Sequence, residues 1–201
     1  KAYATGDVDL KGYDKFLKTY GEYLIVDKPS FATNMKFMFQ YQFGYMYMRY
    51  LLWNFVGRQN DEQGKYEDLK GNWITGIDVI DEFFIGSQKN LPSDIANNKA
   101  RNIYFGIPFI LALIGLVFHA KRDIKSFYVL LVLFLFTGLA LKIYLNERPF
   151  EPRERDYALV GSFYVFAMWI AFGIYAIFDW IKQYLAPKVA IPVVLVVCLL
   201  A

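Results

Sequence analysis

Two stretches of the chain hold side chains whose types and spacing could do chemistry. The first is Arg49-Tyr50-Leu51-Leu52-Trp53-Asn54-Phe55-Val56-Gly57-Arg58-Gln59-Asn60-Asp61. On a helix, Arg49, Trp53 and Val56 fall at i, i+4 and i+7 and share one face. Arg58, Gln59, Asn60 and Asp61 follow at the helix end, where three hydrogen-bonding side chains and a carboxylate can grip a sugar; helix capping and ion pairing would employ the same residues. The second stretch is Asn146-Glu147-Arg148-Pro149-Phe150-Glu151-Pro152-Arg153-Glu154-Arg155-Asp156-Tyr157. Its two prolines stiffen it, and a guanidinium fork bonds two phosphate oxygens at once, so Arg153 and Arg155 suit a phosphate. Each Arg also has an acidic neighbour, which leaves a self-neutralising cluster of ion pairs equally open.

What is missing narrows the chemistry further. His119 is the sole histidine and Cys198 the sole cysteine, so a histidine-based metal centre, a cysteine-rich metal site and an internal disulfide framework are excluded, and no metal-ligating set is expected. No P-loop and no Gly-x-Gly-x-x-Gly occurs. His119 is expected to pack at an interface beside Lys121.

The elements that must position these clusters belong to a membrane protein. Of 201 residues, 56% are apolar and 20% charged, against about 45–50% and about 25% in soluble domains. The net charge of +3 is too small, and too scattered, to imply nucleic acid. Three apolar stretches, 103–119, 126–145 and 158–178, would extend about 25, 30 and 32 Å as helices, and a fourth, 189–201, only about 20 Å. The expectation is an all-α integral membrane fragment: three complete spans, a truncated fourth, and a helical, loop-rich region over 1–102. A chain opening at Lys1 and stopping inside an apolar run reads as an internal piece of a larger protein. Lys121, Arg122 and Lys125 after the first span, and Lys182 and Lys188 after the third, place those loops in the cytoplasm and residues 1–102 outside, although Arg148, Arg153 and Arg155 oppose this. Lys142, one turn from the end of its span, is expected to snorkel to the surface.

Within the polar half, Asp9 can cap a helix lined by Leu10, Tyr13, Phe16, Leu17 and Tyr20 and ended by Gly21. A dense aromatic helix follows at about 33–56, with Gly57 in the position of its C-cap. Lys36, Gln40, Gln42, Arg49 and Asn54 interrupt it, and its tyrosines and Trp53 prefer the headgroup region, so it is expected to lie on the outer interface rather than to span. Residues 58–102 are rich in turn formers.

The runs Tyr41-Gln42-Phe43-Gly44-Tyr45-Met46-Tyr47-Met48-Arg49-Tyr50, Trp53 to Asp61, Gly71-Asn72-Trp73-Ile74-Thr75-Gly76-Ile77 and Pro152-Arg153-Glu154-Arg155-Asp156-Tyr157 resemble a bacterial multi-spanning family similar to protein O-mannosyltransferases, of the GT-C glycosyltransferase type. The resemblance implies an inner-membrane enzyme that moves a sugar from a polyprenyl phosphate or pyrophosphate carrier to Ser or Thr of an exported protein. The implied partners are membrane lipid, the lipid-linked sugar donor, the acceptor protein, and the remainder of the chain or neighbouring membrane subunits. Residues Arg153, Arg155, Arg58, Asn60, Asp61, Arg49 and Trp53 are the expected substrate-binding set. Enzymes of this type carry their catalytic carboxylate in a first outer loop that would precede Lys1, so no catalytic base is assigned and Asp61, Asp78 and Asp81 are substrate-side at most. No cofactor beyond the donor is called for by these residues, and they do not specify a divalent metal. A non-catalytic scaffold subunit is the competing reading, and a flippase for the lipid-linked sugar a third.

Overall fold

A computed structural model of the chain describes residues 10–23, 28–89, 91–147, 156–184 and 186–200. Asp9, Arg153 and Arg155 lie outside the described residues. Helix α1 (Leu10–Tyr20) ends at a 3-10 turn over Gly21–Tyr23. The aromatic stretch forms one unbroken helical run over 31–55, in three parts: α2 (Phe31–Phe37), a π-helix (Met38–Met48) and α3 (Arg49–Phe55). Ser30 starts it by accepting the Thr33 amide with its hydroxyl. The π-helix is longer than the usual single-turn bulge, and along the run rings four residues apart meet, Phe37 with Tyr41 at 5.1 Å and Tyr41 with Tyr45 at 5.7 Å.

Gly57 does not cap this helix in a left-handed conformation. It enters a two-residue strand, β1 (Gly57–Arg58), antiparallel to β2 (Asn102–Ile103), and a side chain there would collide with the carbonyls of Ile74 and Asn102. Arg58 also bridges to Trp73. This small ladder, with α4 (Asp78–Ile85) and α5 (Ser93–Ala96) between its strands, gathers the polar half beside the helices.

The ladder moves the first apolar helix. Ile103, expected at its start, is instead a strand residue, and left-handed Gly106 precedes α6 (Ile107–Arg122). At 16 residues α6 is about 24 Å long, short of a bilayer core of about 30 Å. The next helix runs over Ile124–Leu145 as α7 (Ile124–Leu135), a π turn (Phe136–Ala140) and α8 (Leu141–Leu145). After it come α9 (Asp156–Ile181) and α10 (Pro187–Leu200), the latter holding Pro192. Two stretches, Ile124–Leu145 and Tyr157–Ile181, are long and apolar enough to cross a membrane, and only 11% and 28% of their most apolar windows are buried within the chain. Helices so exposed are not the enclosed core of a soluble fold; their outward faces call for lipid or for protein.

The core forms where the aromatic run crosses this layer. Tyr47, Tyr50 and Leu51 pack with Ala112 of α6 and with Leu159, Val165, Phe166 and Trp169 of α9. Gly115 and Gly173 let α6 and α9 touch backbone to backbone: a side chain at Gly115 would strike the Trp169 carbonyl, and one at Gly173 the Leu111 carbonyl. His119 does pack, with its ring 4.6 Å from that of Phe172, and its Nε2 sits 2.7 Å from the Ser126 hydroxyl, tying α6 to α7. Lys142 departs from expectation: rather than snorkelling, it is buried and donates to Glu147 at 2.6 Å. The reason is local, because left-handed Asn146 ends α8 and turns Glu147 back over the helix.

Candidate functional site

The site is built on the face of the aromatic run that meets the loop over 59–76. Two side chains fold that loop around themselves. Gln59 donates to the Asp68 carbonyl at 2.7 Å and accepts from the Asn72 amide and carboxamide. Asn60 accepts from the Glu62 and Gly71 amides at 3.2 and 2.9 Å. Arg49 then binds the loop to the helix: its guanidinium donates to the Gly71 carbonyl and to that of Tyr45, and lies 4.7 Å from the Tyr45 ring centre. Gly64 and Gly71 face each other here with no room for a side chain on Gly71, whose φ is +70°. Asp81 closes the far end, accepting from the Thr75 amide and hydroxyl at 2.7 and 2.8 Å and from the Gly76 amide at 2.8 Å.

Between loop and helix opens a cleft of about 640 Å³. Tyr45, Tyr66, Trp73 and Phe84 wall it, with Gln40, Arg49 and Asn72 as its polar groups. Tyr66 is held in place from several sides: its ring stacks 4.3 Å from Tyr45 and 6.0 Å from Tyr41, and its amide donates to the Tyr45 hydroxyl at 2.6 Å. It pays for that position with a left-handed backbone, φ +64°, which a bulky residue adopts only under constraint. Rigid rings around a few fixed polar groups make a surface that fits a flat, polyhydroxylated or aromatic ligand.

The residues expected from sequence take different places. Arg49 lies in the cleft wall. Trp53 donates to the Asn60 carbonyl at 3.0 Å, and Arg58 stacks on its indole at 4.1 Å while donating to Asn54. Trp53, Arg58 and Asn60 therefore adjoin the cleft as one assembled unit without lining it, and Asp61 is exposed outside it. Asp81 is spent on Thr75 and Gly76, while Asp78 pairs with Lys89 at 3.1 Å on the surface. Among the cleft residues that motif reading did not select are Tyr45, Tyr66, Asn72, Trp73 and Phe84. Tyr45, Asn72 and Trp73 lie inside runs quoted for the family resemblance, whereas Tyr66 has no local signal because only its fold-imposed backbone brings it there. Among the described residues no group of three or more His, Cys, Asp or Glu could hold a metal ion.

Fold and site together define a helical chain with membrane-length apolar helices and an aromatic cleft on its polar half. Comparison with protein families, with curated proteins and with solved structures finds no match in any of the three.

Proposed function

We propose that this chain is part of a bacterial inner-membrane glycosyltransferase of the GT-C type, with residues 1–102 outside, moving a sugar from a polyprenyl-phosphate carrier to Ser or Thr of an exported protein. The observation that carries the reading is the cleft, where four aromatic rings surround Arg49 and Asn72. Such a lining receives the sugar or the acceptor segment on ring faces and orients it with few hydrogen bonds. Arg153 and Arg155, stiffened by Pro149 and Pro152, would bind the carrier phosphate, with Arg58 as helper, and stabilise the charge that builds on it as the glycosidic bond breaks. The acceptor hydroxyl must lose its proton to a carboxylate supplied from outside the cleft lining.

The scaffold reading keeps one specific support: the described cleft lining contains no carboxylate, and Gln59, Asn60 and Asp81 are bound to their own chain. The two separate in a transfer assay on the full protein in membranes, with a labelled polyprenyl-phosphate sugar and a Ser/Thr acceptor peptide. Arg155→Lys keeps charge but loses the bidentate fork, and hydrogen bonds to charged groups are worth about 1.5–3 kcal/mol, so transfer should fall about tenfold or more at unchanged protein abundance. Trp73→Ala should weaken donor or acceptor binding. A wild-type protein that neither transfers sugar nor binds the carrier, yet holds partner subunits together, would establish the scaffold.

A further inference from the structure

Helix α4 is built inside out. Its one buried residue is a carboxylate, Asp81, at 4% exposure, while Val79 and Phe83 on the opposite side are 80% and 82% exposed, with Ile80 flanking them and Phe84 turned toward Trp73 at 5.1 Å. In a water-facing helix the apolar stripe turns to the core and charges turn out; the reverse arrangement is stable only where the outside is itself apolar. The inward polar side is fully accounted for by the Asp81 bonds to Thr75 and Gly76, which fix the helix's rotation and hold its apolar face away from the protein.

The apolar surface does not stop at α4. Exposed Ile77 precedes it, and the side chains of Ile103 and Phe105, both exposed, lie against Gly76. Phe105 leads through Gly106 directly into α6, whose outward residues Ile110, Leu113 and Val117 continue the same exposed apolar character along the helix. A surface that runs from α4 across the ladder into an apolar helix matches one continuous apolar medium better than a separate partner with its own boundary.

We propose that α4 is a membrane-surface anchor: its Val79, Ile80 and Phe83 face enters the lipid interface beside the start of α6, and so holds the mouth of the aromatic cleft, which the adjoining Phe84 lines, at the bilayer surface. This rests on the reading of the chain as a membrane protein, though not on its being an enzyme. An interfacial helix sinks its apolar face about 5–10 Å into the headgroup and acyl boundary. Asp78 and Glu82 would then lie at the watery edge, and the ion pair of Asp78 with Lys89 would remain in solvent.

The test is site-specific lipid quenching in the full chain reconstituted in phosphatidylcholine vesicles, on a Cys198→Ser background. A bimane probe is attached at Phe83→Cys or, independently, Val79→Cys; both sites are exposed, so labelling need not disturb packing. Val129→Cys on the exposed side of α7 reports the spanning region, and Glu67→Cys on the loop reports water. The expected result is loss of about half or more of the emission at both α4 sites with a shallow doxyl lipid, less with a deep one, as a depth of about 5–10 Å requires. Val129 should be quenched and Glu67 spared. If Val129 is quenched while the α4 sites behave like Glu67, the anchor is refuted and the membrane reading survives. If the α4 probes shift to the blue yet no lipid quenches them, protein covers the face, either a second copy or a partner, and the anchor is again refuted. If Val129 itself is not quenched, the membrane reading falls and the anchor falls with it.

Discussion

Replacing Lys142 by Met should be among the most damaging single changes available in the apolar half. Lys142 donates to Glu147 at 2.6 Å, and each side chain is 4% exposed, so water can replace neither partner. Methionine fills similar volume but takes the Lys142 ammonium away from the buried Glu147 carboxylate. Breaking a buried pair from one side costs about 3–5 kcal/mol, whereas replacing both members with apolar residues is often neutral or stabilising by about 1–4 kcal/mol. At about 2–4 °C per kcal/mol for a chain of this size, Lys142→Met should lower the melting temperature by about 6–20 °C. The double variant Lys142→Met/Glu147→Leu should recover most of that loss. The assay is thermal unfolding of wild type, both single variants and the double in one detergent, read by tryptophan fluorescence and analysed as a double-mutant cycle. If the double variant loses the sum of the two single losses, the residues are uncoupled, and the account of Glu147 as a carboxylate turned back onto α8 is wrong.

Other consequences are as direct. Gly115→Val should separate α6 from α9 and cost about 1–3 kcal/mol by overpacking, seen as a lower melting temperature, because the atoms it meets are the backbone of Trp169 and Gly173 rather than side chains that can move aside. Arg49→Lys can keep only one of the contacts to Gly71 and Tyr45, so limited proteolysis should cut the loop over 59–72 faster while the helices stay intact. The Ser126 hydroxyl, followed by the amides of Ser126 and Lys125, holds the Asp123 carboxyl below its ordinary 3.8. A depressed folded value means that the cap on α7 contributes fully above that ordinary value and is lost only as pH falls through the lower one, so amide exchange at the start of α7 should accelerate there in wild type and not in Asp123→Asn.

What could be read from sequence divides along physical lines. The apolar helices were legible because length and hydropathy act residue by residue: 126–145 ends where the observed Ile124–Leu145 does and starts a few residues late, and 158–178 falls a few residues short of Asp156–Ile181 at each end. The aromatic helix was legible for the same reason, and Ser30 and Gly57 bracket it, although Gly57 serves a strand and not a cap. Where pairing across distant sequence decides the outcome, local reading failed. Ile103 is apolar and adjoins an apolar run, yet its partner is Gly57, 46 residues earlier, and no periodicity announces that. Lys142 looked like a snorkelling residue because its counter-ion depends on one left-handed residue, Asn146.

The candidate site shows the same division more sharply. Sequence reading chose residues by chemical capability, and Gln59, Asn60 and Asp81 have it; the fold spends that capability on holding a turn-rich loop that has few apolar side chains with which to hold itself. The surface left for a ligand is made instead from what the loop holds in place: Tyr66 in a backbone conformation it would not choose alone, Trp73 against Phe84 at 5.1 Å, and Arg49 beneath them. Loss of a loop-holding residue should therefore abolish ligand binding together with folding of the loop, whereas loss of a wall residue such as Tyr66 should remove binding alone. That contrast, measured on Asn60→Ala and Tyr66→Ala by amide exchange alongside binding of the proposed lipid-linked sugar, assigns each residue to scaffold or site, and equal loosening of the loop in both variants would show that the distinction between loop-holding and wall residues is false.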